Sequence, residues 1–262
     1  MKLETKGISY GYKKGKTILK NLSLYVETGE IVCILGPNGT GKTTMLRLIL
    51  GFNKPQEGEV FLDGKPMNKL TPKQRAKHLA YVPQYSYISF PYAAKEVVLM
   101  GRTSYVSYGK SFSKEDYKKA EDAMEMLGIL DINDSLYNEL SGGQKQMILL
   151  ARAIVQDSQI IIMDEPTANL DYSNQLKMLA TIKSLSKKGY GILMTSHFPD
   201  HAFLTDSRVI LMQDGRKLYD GRADDVVTTK TLTELYKTDV EVSKARSICL
   251  NKDVKVCIPI LK

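Results

Sequence analysis

At 262 residues, with 43% apolar side chains and a net charge of +8, the chain is long enough for one large domain or two small ones and has an ordinary globular composition. No stretch approaches the roughly eighteen apolar residues of a membrane span, and Met1 to Lys6 has no apolar run behind it that would make a secretory signal, so a protein that stays in the cytoplasm is predicted. The lysines are scattered, with short runs such as Lys13-Lys14 and Lys187-Lys188 and no basic stripe with interleaved aromatics, which argues against a nucleic-acid partner.

Taken in chain order, Leu3 to Tyr10 and Leu22 to Val26 alternate apolar and polar residues and read as strands. Ile31 to Leu35 is a continuous apolar run, the signature of a strand buried on both faces. It leads into a glycine-rich loop and a helix over Lys42 to Leu50. Glu59 to Leu62 and Ala80 to Val82 are further short strands, separated by a helix that Pro72 starts at its first position. From Tyr85 to Val155 strand signals vanish, and amphipathic helices are predicted at Ala93 to Gly101, Lys114 to Leu127 and Gly142 to Val155. Alternation then resumes with a strand at Ile160 to Met163, a helix at Ser173 to Ser186 and a strand at Gly191 to Thr195. The tail carries a hairpin signal at Gln213-Asp214-Gly215-Arg216, a helix at Thr231 to Tyr236 and two short strands. Cys33, Cys249 and Cys257 form no CxxC pair and lack a histidine at metal-ligand spacing, which predicts neither a metal site nor a catalytic thiol.

The loop Gly36-Pro37-Asn38-Gly39-Thr40-Gly41-Lys42-Thr43, followed by Thr44, fits the phosphate-binding pattern GxxxxGK[ST] between a buried strand and a helix. Glycines let successive amides face phosphate oxygens, and the helix N-terminus adds its positive end. Lys42 is placed to reach the β- and γ-phosphates of a bound nucleotide, and the Thr43 hydroxyl to ligate Mg²⁺. At the end of Ile160 to Met163 stand Asp164 and Glu165. An acid at the carboxyl end of a buried strand emerges where open α/β sheets bind ligands. Asp164 is read as holding the Mg²⁺ shell and Glu165 as polarising the attacking water. His197 follows the strand Gly191 to Thr195 and is read as a γ-phosphate contact, while His78 and His201 are read as surface groups.

Ser141-Gly142-Gly143-Gln144 opens another helix, with Ser141 where a capping hydroxyl belongs and two glycines leaving its N-terminus bare. A second anion-ready helix start asks for a second phosphate. With the P-loop and the acidic strand, these residues resemble the ATP-binding-cassette ATPase family over nearly the whole chain. The resemblance implies an α/β P-loop NTPase fold: a mainly parallel core sheet, an antiparallel β-subdomain and an inserted helical subdomain. It divides the chain into a nucleotide-binding core (1–84 and 156–221), a helical insertion (85–155) and a C-terminal extension (222–262). It implies ATP and Mg²⁺ as ligands. It also implies a second copy of the chain, whose ATP would meet Ser141, Gly142, Gly143, Gln144 and Asp171. Gln84 matches the family's glutamine loop, which touches Mg²⁺ or the attacking water and joins the helical subdomain to the core. Asn169-Leu170-Asp171 departs from the commoner Ser-Ala start of its loop. Tyr12 is similar to the adenine-stacking aromatic, with Tyr10 as a competitor.

One P-loop, one Ser-Gly-Gly-Gln and no heptads or membrane helices point to a separate cassette subunit on a membrane permease, peripheral at the cytoplasmic face. Val98-Leu99-Met100-Gly101-Arg102 and the tail Thr233 to Val240 resemble cassettes that power import of iron–siderophore, haem and cobalamin complexes, which work with an extracytoplasmic solute-binding protein. Molybdate-type importers share much of the pattern, and an ATP-gated regulatory cassette without a permease is the alternative class. The aromatics Tyr85, Tyr87, Phe90 and Tyr92 are expected at the permease interface.

Overall fold

The computed structural model describes residues 1–12, 15–107, 109–249 and 251–260, so the Lys13-Lys14 run lies outside the described residues. The first half contains β1 (Lys2–Tyr10), β2 (Leu19–Glu27), β3 (Ile31–Leu35), α1 (Lys42–Ile49), β4 (Glu57–Leu62), β5 (Lys65–Pro66), α2 (Pro72–Ala76) and β6 (Leu79–Val82). Three helices follow without an intervening strand: α3 (Ala94–Leu99), α4 (Lys114–Met126) and α5 (Gly142–Ile154). The chain then forms β7 (Ile160–Met163), α6 (Tyr172–Lys187), β8 (Gly191–Ser196), α7 (Asp200–Thr205), β9 (Arg208–Gln213) and β10 (Arg216–Arg222). It ends with α8 (Ala223–Val226), α9 (Thr229–Tyr236), β11 (Val240–Ser247) and β12 (Lys252–Pro259).

Six strands form the central sheet in the order β10-β9-β3-β8-β7-β6, parallel except for the β9–β10 hairpin. The continuous apolar runs are explained by two-sided burial. Ile31, Cys33 and Leu35 face a core shared with α3 to α7, while Val32 and Ile34 face one shared with α1, β1 and β2. β7 divides the same way, Ile161 and Met163 on one face and Ile160 and Ile162 on the other. Each such side chain contributes about 1.5–3 kcal/mol by leaving water. The second sheet is antiparallel, β2-β1-β4-β5, and β11–β12 pair as a separate hairpin. The α/β cassette architecture expected from the sequence is therefore present.

Local signals act as anticipated. Pro72 occupies the first turn of α2, and Asp214 and Gly215 take positive φ of 48° and 76° between paired Gln213 and Arg216, as a two-residue hairpin requires. The helix expected over Ala93 to Gly101 instead ends at Leu99 and tightens into a 3₁₀ turn, Met100–Ser104. There a Cβ on Gly101 would stand 2.2 Å from the Arg152 carbonyl oxygen, so α5 packs directly on that backbone. α7 and α8 were not anticipated; at six and four residues they are too short for a periodic pattern.

Arg102 ties the three-helix unit together. Buried, it donates from Nε to Asp116 Oδ1 at 2.8 Å and from Nη1 to Asp157 Oδ2 at 2.7 Å and the Val155 carbonyl at 3.0 Å. The Arg102 guanidinium, seconded by Ser113, holds the Asp116 carboxyl down to about 2. A lowered carboxylate contributes stability that is complete above its ordinary range near pH ~4 and lost as pH falls through about 2. Arg102→Met leaves Asp116 buried and unpaired, and should lower unfolding free energy by about 3 kcal/mol. The check is a urea titration, with a reduced midpoint at unchanged slope.

Candidate active site

Register brings the site together. Leu35 lies opposite Ser196, Met194 opposite Met163, and Met163 opposite Val82. β7 and β6 thus end level with each other, two residues before β8 and β3, and Gly36, His197, Asp164 with Glu165, and Gln84 follow along one sheet edge. This is the carboxyl edge, where open α/β sheets place ligands.

α1 begins there at Gly41, whose φ of 98° only glycine adopts readily, and no side chain caps it. Its first-turn amides are left for an anion. Lys42 is buried, and its ammonium donates to the Gly36 and Pro37 carbonyls at 2.6 and 3.1 Å. Burial lowers its pKa, and the carboxylates of Glu165 and Asp164 oppose that shift. Thr40 Oγ donates to the Pro37 carbonyl at 3.0 Å and helps shape the loop. Asn38, Gly39 and Thr43 are exposed, and Thr44 is buried.

Glu165 is the hub. His197 Nε2 pairs with its Oε1, Gln84 Nε2 donates to its Oε2 at 2.9 Å, and His197 Nδ1 lies 3.5 Å from Lys42 Nζ. Its φ of 49° is a left-handed conformation uncommon for a long side chain. Thr195 holds this bend: its hydroxyl accepts from the Glu165 amide at 2.9 Å and donates to Asp164 Oδ1 at 2.8 Å. The sequence reading missed Thr195; the only signal was a hydroxyl at the end of an apolar strand.

Asp164 is buried, and among the described residues Oδ2 has no hydrogen-bond partner in the protein. Thr43, Asp164 and Gln84 offer hydroxyl, carboxylate and amide oxygens. Mg²⁺ takes such hard donors one or two at a time beside water and phosphate, so the donor set fits that ion. Tyr12 is 53% exposed, sits edge-on to Tyr10 at 5.1 Å, and brings its hydroxyl within 3.5 Å of Thr44 Oγ1. Tyr10 packs against the core, which leaves Tyr12 as the ring with a free face beside α1.

Ser141 to Gln144 do not join this cluster: no hydrogen bond or ion pair among the described residues links them to Gly36–Thr44. Ser141 Oγ accepts from the Gln144 amide at 3.3 Å, and Gln144 Oε1 accepts from the Ser141 amide at 3.0 Å, a capping box. The two glycines differ. A Cβ on Gly143 would stand 2.7 Å from the Asn174 side chain, whereas one on Gly142 would meet only the Asn169 carbonyl oxygen, at 3.8 Å. Gly143 therefore serves the chain's own packing, and Gly142 leaves open an exposed helix start. Asp171 caps α6 by accepting from the Asn174 amide and side chain, both at 2.8 Å. Asn174 thereby joins Asp171 to the Ser-Gly-Gly helix. Asn169, with φ 59°, donates to the Tyr85 hydroxyl at 2.8 Å.

Two expectations need correction. His201 is buried, not on the surface: Nδ1 lies 2.9 Å from Ser196 Oγ, and burial lowers its pKa to about 4. Of the four aromatics after Gln84, Tyr85, Tyr87 and Phe90 are exposed, but Tyr92 packs on the core and its carbonyl accepts from the Tyr137 amide. His78 is half-buried. Burial pushes the Cys33 and Cys257 thiols up to about 12, so both stay protonated near neutrality.

A family model described as ABC transporter matches residues 19–168. A Helicobacter pylori protein named for iron chelatin transport is 35% identical over 243 residues, 92% of this chain and 95% of its own. A solved structure named for a metal-chelate type ABC transporter, in an inward-facing conformation, superposes with a TM-score of 0.87. It is 26% identical, covering 99% of this chain and 97% of the other. A bacterial ABC transporter cassette solved as a dimer gives a TM-score of 0.74 at 30% identity, over 84% and 98% of the two chains. With the phosphate loop and the acidic strand end on one sheet edge, these matches settle the assignment: the chain belongs to the ABC transporter family, as an ATP-hydrolysing subunit.

Proposed function

We propose that this subunit energises import of a metal chelate such as an iron–siderophore complex, and that it hydrolyses ATP between two copies of itself. The observation that carries the catalytic part is the linked row Lys42, His197, Glu165 and Gln84 along one sheet edge. Lys42 exchanges two neutral carbonyl partners for phosphate oxygens, a stronger, charge-assisted pairing. The Gly36–Thr44 loop holds the remaining phosphate oxygens, and Tyr12 stacks on the adenine. Glu165, fixed through both carboxylate oxygens, takes a proton from water as that water's oxygen bonds to the γ-phosphorus. The bond from that phosphorus to the bridging oxygen breaks, and ADP departs. His197 donates to the γ-phosphate. Mg²⁺, held by Thr43, Asp164 and Gln84, would neutralise charge on the phosphates.

The open face at Gly142 supports a trans role. Ser141, Gly142, Gly143, Gln144 and Asp171 of one copy would receive the phosphates lying in the P-loop of the other. The dimeric cassette of similar fold supports the same reading.

Support for the solute class comes from the Val98-Leu99-Met100-Gly101-Arg102 and Thr233 to Val240 segments, and from the relatives named for iron chelatin and metal chelates. None of the described helices is long and apolar enough to cross a membrane; in this reading the solute passes through membrane permease subunits, with a solute-binding protein outside. The test is reconstitution with that permease and binding protein in liposomes. Ferric siderophore, haem or cobalamin should stimulate ATP turnover and accumulate inside; stimulation by molybdate alone would overturn the solute assignment.

Tyr87 and Phe90, 91% and 66% exposed, are the docking anchors in this reading, because Tyr92 is half-buried and packs against the core. Tyr87→Ala with Phe90→Ala should weaken membrane retention by about tenfold in cells expressing the permease. ATP affinity of the purified double variant should stay within about twofold of wild type, since neither side chain touches the nucleotide loop.

A further inference from the structure

The tail beyond β10 reaches the active site at a point the proposed mechanism does not use. The Tyr236 hydroxyl, at the end of α9, donates to the main-chain carbonyl of His197 at 3.3 Å. Its ring packs on the main core, and burial raises the hydroxyl pKa well above its ordinary value, so it remains a donor throughout the physiological range. A second contact lies three residues on: the Cys257 amide of β12 donates to Asp200 Oδ1 at 2.9 Å. Cys257 pairs with Val242 of β11, and the Val242 amide donates to Thr229 Oγ1, on the helix that carries Tyr236, at 2.9 Å. The tail thus closes on itself and grips both ends of the 197–200 turn.

The turn's other bonds are local and hold Phe198 and Pro199 rather than His197: the His201 amide donates to the Phe198 carbonyl at 3.2 Å and the Ala202 amide to the Pro199 carbonyl at 3.0 Å. Ser196 Oγ accepts from the Phe198 amide at 3.0 Å and meets His201 Nδ1 at 2.9 Å. His197 itself is half-buried and makes its side-chain polar contacts only to Glu165 and Lys42 among the described residues. A ring held from one side by the reacting groups needs its backbone held from the other, because small misplacements of a catalytic group reduce rate steeply.

We propose that Tyr236 is a positioning residue: acting through the His197 carbonyl, it sets the imidazole against Glu165 and the γ-phosphate, so that the C-terminal segment tunes ATP turnover. The proposal rests on the assignment of His197 as the γ-phosphate contact. It gives a role to the Thr233 to Val240 segment, whose place in the site the sequence left unassigned.

Tyr236→Phe removes one hydroxyl and keeps the ring. Loss of a single neutral hydrogen bond acting on the transition state should lower kcat about fivefold, with KM for ATP within about twofold of wild type. The chain has 3 histidines, so histidine-selective NMR can follow each ring. The His197 resonance should shift in Tyr236→Phe while that of His78 stays in place. Wild-type kcat in Tyr236→Phe, with turnover lost in Tyr236→Leu, would mean the ring matters only for packing and would overturn the proposal. So would a lower kcat with an unmoved His197 resonance. His197→Ala, assayed alongside, separates the two readings. Turnover kept in that variant overturns the role of His197 and this proposal with it. Turnover lost there but retained in Tyr236→Phe overturns this proposal alone.

Discussion

Glu165→Gln should reduce ATP turnover by a factor of about 10² to 10⁴, the usual contribution of a positioned base. The amide is nearly isosteric with the carboxylate, can still accept at one atom, and leaves Lys42 and the phosphate loop in place. Binding should therefore survive while proton abstraction is lost. Such a variant stalls before hydrolysis, so Mg-ATP should drive it into a stable dimer on size-exclusion chromatography. Turnover at the wild-type rate would remove Glu165 from the role of base. Removing a carboxylate also removes a partner of His197, so a melting curve is needed beside the rate to show that the fold is intact.

Gly142→Glu should be equally damaging to turnover, about 100-fold or more, for a different reason. Within its own chain the substitution is benign: the Cβ meets only the Asn169 carbonyl oxygen, at an ordinary contact distance of 3.8 Å, Glu forms helix more readily than Gly, and a negative charge suits a first helical turn. Stability should hold or rise by a few tenths of a kcal/mol. Against a phosphate arriving from a second copy, the same carboxylate is both bulk and like charge. ATP affinity of the isolated subunit should then be unchanged while ATP-driven dimerisation disappears. Lys42→Ala is the contrasting variant, because losing the buried ammonium removes the point charge on the phosphates and should abolish binding by each subunit alone. Equal loss of single-subunit affinity in both variants would refute the trans assignment. Gly142 is the better probe than Ser141, whose hydroxyl caps α5 and whose loss alone would destabilise that helix by about 1 kcal/mol.

The contrast between Gly142 and Gly143 also shows where sequence reading stops. Both glycines are equally conspicuous in the chain, but only packing against Asn174 shows that one serves the fold and the other leaves a surface bare. The same holds for the aromatics after Gln84. Tyr87 and Tyr92 look alike in sequence, yet main-chain bonds between Tyr92 and Tyr137 and between Ala94 and Ser135 turn Tyr92 inward. The central strands were legible almost to the residue because burial on both faces writes an uninterrupted apolar run, as in Ile31–Leu35 and Ile160–Met163. The phosphate loop and the acidic strand end were legible because their chemistry is local in sequence. Thr195, His201 and Tyr236 were not. Thr195 and Tyr236 act on partners 31 and 39 positions away, reached by strand register and helix docking, and His201, whose partner is 5 positions back, is buried by the way α7 packs, which no local pattern encodes.

The central claim is that the catalytic unit is two chains sandwiching two ATPs, each nucleotide completed by the helix start of the opposite chain. Native mass spectrometry of Glu165→Gln in Mg-ATP tests it most directly, since mass gives chain and nucleotide counts together. The expected species is two chains carrying two ATP, absent when Gly142→Glu is added. A single chain retaining one ATP as the stable product, or a two-chain species indifferent to Gly142→Glu, would contradict the account.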